Sequence, residues 1–342
     1  SDVELVAQKM LTAFSDPFFC NNHELSISSS IGISLYPEHS KSKEQLKQFA
    51  DIAMYHSKQS GRDNYCFFMP EMQKENEKKL SNRVLLKRQL KSAVDNAELQ
   101  IYYQPQVDMQ RRITAVEALL RWQNAEHKMI SPEIFIPLAE ESGLIQGLEE
   151  WAFTEVCEHY AKWGNAGLPK INVSLNISGY RLRQKTFIHF VDQTLENFAL
   201  KPDFLVFEIA ENEIMQNIKE TAKVLNQLHS KGIKIAVDHF GTGYTSLNYL
   251  QQLPIDAFKI DAQFIRQLGS RYDESSVVQA IIGLASSLNK SVIAMGVEQE
   301  IQEKRLLELH CDAMQGYLMA KPMTEADIRL ILTDRLYLTE NS

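Results

Sequence analysis

Cysteine is scarce in this 342-residue chain: Cys20, Cys66, Cys157 and Cys311 stand far apart, and none belongs to a Cys-x-x-Cys pair. That pattern excludes a zinc ribbon, a dithiol redox motif and a disulfide framework, and it leaves the thiols as small buried hydrophobes. Long apolar runs are missing too, with none near the roughly 20 residues of a membrane span. The opening SDVELVAQKM lacks the basic start and apolar centre of a signal peptide. The segment therefore reads as cytoplasmic, either by itself or as the cytoplasmic part of a longer, membrane-attached protein. Positive charge is in deficit, with 36 Lys and Arg against 44 Asp and Glu for a net charge of −8. Broad nucleic-acid binding draws on a basic surface to release counterions, so it is excluded. A small anionic ligand is not, because a few cations or a metal ion can reverse the field inside one pocket.

What the chain does have is a repeat of short β-branched or aromatic runs and longer helical patterns from Ile101 onward. The runs predict strands at 101–107, 115–120, 171–176, 204–208, 234–238, 257–260, 291–294 and 313–315. Apolar residues at three and four spacings predict core-facing helices at 146–164, 219–231, 275–289 and 299–310. Only 108–114 separates the first two strands, too few residues for a crossover helix, so these two are expected to pair antiparallel. The expected fold is α/β: a TIM-like (β/α)8 barrel with an antiparallel first hairpin. Upstream, 71–96 is nearly free of Gly and Pro and predicts a connecting helix. Residues 1–70 read as a helix, a hairpin-like stretch at 23–36, a helix at 42–58 and a strand at 64–68, the tail of a larger domain.

In such barrels the functional groups gather at the carboxyl ends of the strands. Polar residues stand there in series: Glu117, Asn176, Glu208, Asp238, Lys259, Glu298 and Gln315. Any one alone would be a solvated strand end, but seven at successive strands point to one site. Three carboxylates and an amide oxygen make an all-oxygen donor set suited to Mg2+ or Mn2+.

The sequence resembles the EAL family over about 88–334. The resemblance rests on Tyr103-Gln104-Pro105, Glu117-Ala118-Leu119-Leu120-Arg121-Trp122, Phe135-Ile136-Pro137-Leu138-Ala139-Glu140, Asn176-Ile177-Ser178, Phe207-Glu208, Phe240-Gly241-Thr242-Gly243-Tyr244, Lys259-Ile260-Asp261, Gly296-Val297-Glu298 and Gln315-Gly316-Tyr317. It implies a fold that opens cyclic di-GMP to the linear dinucleotide pGpG with two divalent ions and an activated water. By that resemblance Glu117, Asn176, Glu208 and Asp238 hold the first ion, and Glu117, Lys259 and Glu298 are the candidate catalytic residues. Gln104, Leu119, Arg121, Asp261 and Gln315 would hold the nucleotide, with Arg121 forking onto a phosphate. Glu211 would support the loop 240–246. The family also pairs through a barrel face, which implies a homodimer, and a regulatory member would act on a protein partner of its own.

Two departures decide the functional expectation. Where the family reads Asp-Asp-Phe-Gly, this chain has Asp238-His239-Phe240-Gly241, and where it reads Ala-Glu-Gly-Val-Glu, this chain has Ala294-Met295-Gly296-Val297-Glu298. Imidazole and thioether are not the hard donors that magnesium prefers. The second ion position is expected to be impaired while the nucleotide cradle stays whole. The expectation is a receptor-type, cyclic di-GMP-binding domain with little or no phosphodiesterase activity. An active divalent-metal-dependent phosphodiesterase giving pGpG and a nucleotide-free interaction scaffold are the rivals; separately, His239 as a ligand to manganese or another imidazole-tolerant ion would rescue some turnover.

Ser29-Ser30-Ile31-Gly32-Ile33-Ser34, Tyr36-Pro37, Ala50-Asp51-Ile52-Ala53-Met54-Tyr55 and Gly61-Arg62 resemble the closing part of a GGDEF domain. The signature turn of that family is not among these residues, so the fragment is not expected to make cyclic di-GMP. The expected division is 1–70 as this partial α+β fragment, 71–87 as a linker helix and 88–335 as the EAL domain.

Overall fold

Eight strands alternate inward and outward side chains around a closed barrel, and this alternation builds both the core and the mouth. The computed structural model describes residues 2–15, 18–20, 23–25, 28–61, 63–126, 128–243, 250–269 and 275–334. The barrel strands are β1 Leu99–Asp108, β2 Ile113–Gln123, β3 Asn172–Asn176, β4 Leu205–Ala210, β5 Lys234–Phe240, β6 Ala257–Ile260, β7 Ser291–Met295 and β8 Ala313–Gln315. Neighbours from β2 to β8 are parallel. β1 closes the circle by pairing antiparallel with both β2 and β8.

Outward side chains of the strands meet the helices in one large core that includes Tyr103, Val173, Phe207, Val237, Phe258 and Val292. Inward, Val206, Ala236 and Ala257 form a small apolar floor with Ile293 against it. Two residues further along each of these strands, period two brings Glu208, Asp238, Lys259 and Met295 to the same inward face. The apolar residues thus plug the barrel below, and the polar ones are lifted to its mouth.

Strand expectations and strands agree within one or two residues, apart from longer first strands. Phe204 ends a short 3-10 turn, Pro202–Phe204, rather than opening β4. The helix expected across 71–96 is Pro70–Leu90. It stops because residues 91–97 form turns, with Ala97 at φ 53.

The chain divides into two units, Ser1–Gln89 and Leu90–Ser342. In the first, helix Lys43–Gln59 begins at Ser42, whose hydroxyl accepts from the Gln45 backbone N–H. Strand Ser30–Ile33 pairs parallel with Asn64–Phe67, and Phe18–Cys20 pairs antiparallel with His23–Leu25. The expected hairpin at 23–36 is thus replaced by two separate pairings, with the helix connecting the parallel pair. Arg62 of the GGDEF-like motif lies outside the described residues. No described helix is long and apolar enough to cross a membrane.

Candidate functional site

Lys259 stands at the centre of the barrel mouth with no solvent exposure. Its ammonium bonds Glu117 Oε2 at 3.0 Å and also donates to Glu208 Oε2. Glu117 is held further by Asn176 Nδ2 on Oε1 at 2.8 Å and by Gln315 Nε2 on Oε2 at 2.7 Å. Gln315 also reaches Gln104 Oε1 at 3.0 Å, and Gln106 Nε2 bridges Gln315 Oε1 at 2.9 Å and Glu208 Oε1 at 3.3 Å. Residues from six strands therefore join one network, buried except at Asn176, as polar groups held away from water must.

Its electrostatics follow from too many carboxylates around one ammonium. Burial alone would lower the lysine's pKa, but the charges of Glu117, Glu208 and Asp238 outweigh it and hold the ammonium firmly protonated. Burial works against the Glu117 carboxylate as well. Lys259 and the hydrogen bonds from Gln315 and Asn176 prevail, and its pKa falls below the ordinary value. Glu208 is the carboxyl left over: burial and then repulsion by Glu117 push it up to about 8.

Two cavities open from this network and share Asp238 and His239. One, of about 460 Å³, is lined by Leu119, Arg121, Pro137, Glu149, Asn176 and Glu208 among others. The other, of about 360 Å³, includes Gln104, Asp261, Arg266, Met295, Glu298 and Gln315. The sequence-predicted residues are thus brought around one mouth. Glu211 stands apart beneath it, taking the backbone N–H groups of Gly241 at 2.9 Å and Gly243 at 3.3 Å on Oε2. Residues 244–246 of the loop it was expected to support lie outside the described residues. A groove of about 560 Å³ near Lys170, Lys201 and Phe204 shares no residue with this mouth.

His239 has φ 54, a left-handed conformation that His tolerates better than most residues. Its Nδ1 meets Asp261 Oδ2 at 2.7 Å, and its Nε2 lies 3.5 Å from Asp238 Oδ2. Asp261 has a second task, accepting the Gln263 backbone N–H on Oδ1 at 2.8 Å to cap helix Ala262–Arg266.

The donor chemistry fits a divalent cation at Glu117, Asn176, Glu208 and Asp238, because hard oxygens in excess of their positive charge are what such an ion neutralises. Among the described residues no three His, Cys, Asp or Glu side chains converge as ligands. The carboxylates turn to Lys259 and the amides instead. At the neighbouring position the fit fails for a hard ion: His239 is engaged by Asp261, and Met295 offers sulfur.

Sequence reasoning missed Gln106, although it lies two residues after Gln104 on β1 and alternation puts both on the inward face. It also missed Glu149, on helix Ile145–Asn165. Glu149 Oε1 accepts from the Ser178 backbone N–H at 2.7 Å, and Oε2 is buried with no hydrogen-bond partner. Burial raises this carboxyl to about 7. A raised carboxyl pKa stabilises the fold below the unfolded value, and the contribution is lost as pH climbs toward the folded one. Glu149→Gln should therefore remove up to roughly 3 kcal/mol of pH-dependent loss between about pH 4.5 and 7. Thermal melts across that range would check it. Parallel pH slopes for variant and parent would refute it.

The comparisons with known proteins agree with this architecture. The EAL domain family matches residues 87–322. This chain belongs to the EAL family. The family described as diguanylate cyclase, GGDEF domain, matches residues 1–64. The EAL chain is 37% identical over 324 residues to the bifunctional diguanylate cyclase/cyclic di-GMP phosphodiesterase MucR of Pseudomonas aeruginosa, covering 94% of this chain and 47% of that protein. It is 36% identical over 323 residues to the cyclic di-GMP phosphodiesterase PdeR of Escherichia coli, covering 94% and 48%. The chain thus spans about half the length of these curated relatives. A solved structure described as the PaMucR phosphodiesterase in complex with c-di-GMP matches with TM-score 0.69 and 36% identity, over 71% of this chain and 99% of that one.

Proposed function

We propose that this chain is a cyclic di-GMP-binding regulatory EAL domain with little or no phosphodiesterase activity. The observation that carries the proposal is the contrast between the two sides of the mouth. Gln104, Leu119, Arg121, Asp261 and Gln315, the residues the resemblance assigns to the nucleotide, line two cavities that meet at Asp238 and His239. At that junction His239 is bonded to Asp261, and in the second cavity Met295 stands where the resemblance implies a carboxylate.

A phosphodiester resists hydroxide, and a pair of divalent ions supplies a nucleophile at neutral pH and charge stabilisation in the transition state. On this reading Mg2+ or Mn2+ would be held by Glu117, Asn176, Glu208 and Asp238, with Lys259 beside the reacting phosphate and Glu298 orienting water. Arg121 presents its guanidinium near the Tyr102 ring, 5.8 Å from the centroid, and donates to the Leu120 carbonyl at 2.9 Å. That leaves most of its donors to fork onto a phosphate. Similarity to the cyclic di-GMP phosphodiesterases MucR and PdeR favours the second reading, an active phosphodiesterase. We assign 1–70 to the closing part of a GGDEF domain, 71–87 to the linker helix and 88–335 to the EAL domain, a division supported by the family matches.

Titration calorimetry with cyclic di-GMP tests the proposal. Arg121→Ala removes a charge-assisted contact of about 1.5–3 kcal/mol and should weaken binding roughly 10- to 100-fold. No heat with the parent protein at high micromolar concentration would sink the receptor reading. Rapid turnover by pure protein, abolished by Glu117→Ala, would establish the phosphodiesterase instead.

A further inference from the structure

We infer that the groove near Lys170, Lys201 and Phe204 is a second binding site, at the opposite end of the barrel from the mouth, for a small flat aromatic molecule bearing one anionic group. The inference is independent of the nucleotide reading above.

The groove opens where strands begin. Asn172, the first residue of β3, and Phe204, just before β4, line it, whereas Asn176 and Glu208 further along the same two strands belong to the mouth. Its volume of about 560 Å³ exceeds that of either cavity at the mouth, and sites for small molecules span about 300–1,000 Å³. The floor is aromatic. Trp163 and Phe204 are buried, and the half-buried Tyr160 ring stacks on Phe204 with centroids 3.7 Å apart and planes 10° apart. Rings presented in this way favour a flat, aromatic occupant.

The rim selects its charge. Lys170 and Lys201 are exposed and line the groove, and neither has an ion-pair or hydrogen-bond partner among the described residues. Asp203 is the one acidic residue among the described lining, so the groove is locally positive on a chain of net charge −8. Helices Ile145–Asn165 and Phe187–Asn197 both end here, and helix carboxyl ends ordinarily repel anions through their open carbonyls. Here those carbonyls are already engaged. The oxygens of Lys162, Trp163 and Gly164 accept from the N–H groups of Ala166, Leu168 and Gly167 at 3.0, 3.0 and 3.1 Å. Those of Thr194, Leu195 and Glu196 accept from Phe198, Leu200 and Ala199 at 3.3, 2.9 and 3.0 Å. The two ammonium groups therefore set the sign of the ligand, while the rings below set its shape.

The test is fluorescence titration of anilinonaphthalene sulfonate into the intact chain, beside phenylnaphthylamine, which has the same rings without the sulfonate. The sulfonate should saturate one class of site. Lys170→Ala combined with Lys201→Ala should weaken it about tenfold, at about threefold for each exposed charge contact. Asp203→Asn should strengthen it about threefold, and the uncharged probe should respond to neither change. Asn165→Trp, at an exposed position on the lining, places a ring in the groove and should weaken the sulfonate at least about tenfold. Circular dichroism of each variant should match the parent, since all four positions are exposed. Absence of saturable sulfonate binding would overturn the inference, as would binding that Asn165→Trp leaves unchanged, because the probe would then lie elsewhere. Lysine variants that shift both probes equally would overturn the preference for an anion.

Discussion

His239→Asp and Met295→Glu, made together, should raise cyclic di-GMP linearisation in Mn2+ by about a thousandfold or more. The magnitude follows from restoring a second cation clamp on the transition state, worth several kcal/mol in two-metal hydrolysis, at about 1.4 kcal/mol per tenfold of rate. Neither substitution strains the backbone. Asp is among the residues that accept the left-handed φ 54 of position 239, and position 295 ends β7 at the edge of an open cavity. Each single variant should recover only a small part, because two ligands to one ion act as a unit and their effects do not add. The comparison is single-turnover hydrolysis of the three variants and the parent. A double variant that gains Mn2+ affinity but no rate would show that these positions are not what limits the chemistry.

Gly316→Ala should cost about 3 kcal/mol of stability or more. A Cβ at 316 would lie 2.1 Å from the Val297 carbonyl oxygen and 2.2 Å from the Val297 nitrogen. Both are backbone atoms and cannot swing aside as a side-chain tip could. They are also fixed, since the Val297 N–H donates to Gln315 O at 3.1 Å and the Leu318 N–H donates to Val297 O at 2.9 Å. Relief of the clash must therefore move Gln315, the residue that ties Glu117, Gln104 and Gln106 together. The melting temperature should fall by roughly 6–12 °C, with a weakening of cyclic di-GMP binding of about tenfold. Gly283→Ala is the control. It lies within helix Ser275–Ser287 with nothing inside 4 Å of the new methyl, and it should gain up to about 1 kcal/mol. Equal melting temperatures for the two variants would refute the argument.

Much of this barrel was legible because its signals are local. Strand runs such as 257–260 are short and apolar, the 108–114 connection allows only a hairpin, and a polar residue follows each run. Pairing was harder to read where runs were too short to carry a register. The stretch 23–36 looks like a hairpin by composition, yet Ser30–Ile33 pairs with a strand that follows a whole helix. In the site, the residue types announced themselves at the strand ends, but their partners did not. That Lys259 would spend its charge on Glu117 and Glu208, or that Asp261 would cap a helix while holding His239, depends on distances across the barrel that no spacing encodes. Glu149 was hidden for a different reason: on a helix face it reads as one more solvated carboxylate, and only the Ser178 turn folded against it sets it apart.

The reversed direction of β1 changes where the polypeptide is threaded into this molecule. Leu99 lies opposite Trp122 rather than at the floor, and Glu98, one residue earlier, accepts the Trp122 indole N–H at 2.9 Å and the Gln123 backbone N–H at 2.9 Å. The incoming strand is thus fastened at the rim, and two residues on, Gln100 lies opposite Arg121, so the chain enters the barrel at the edge that carries the guanidinium.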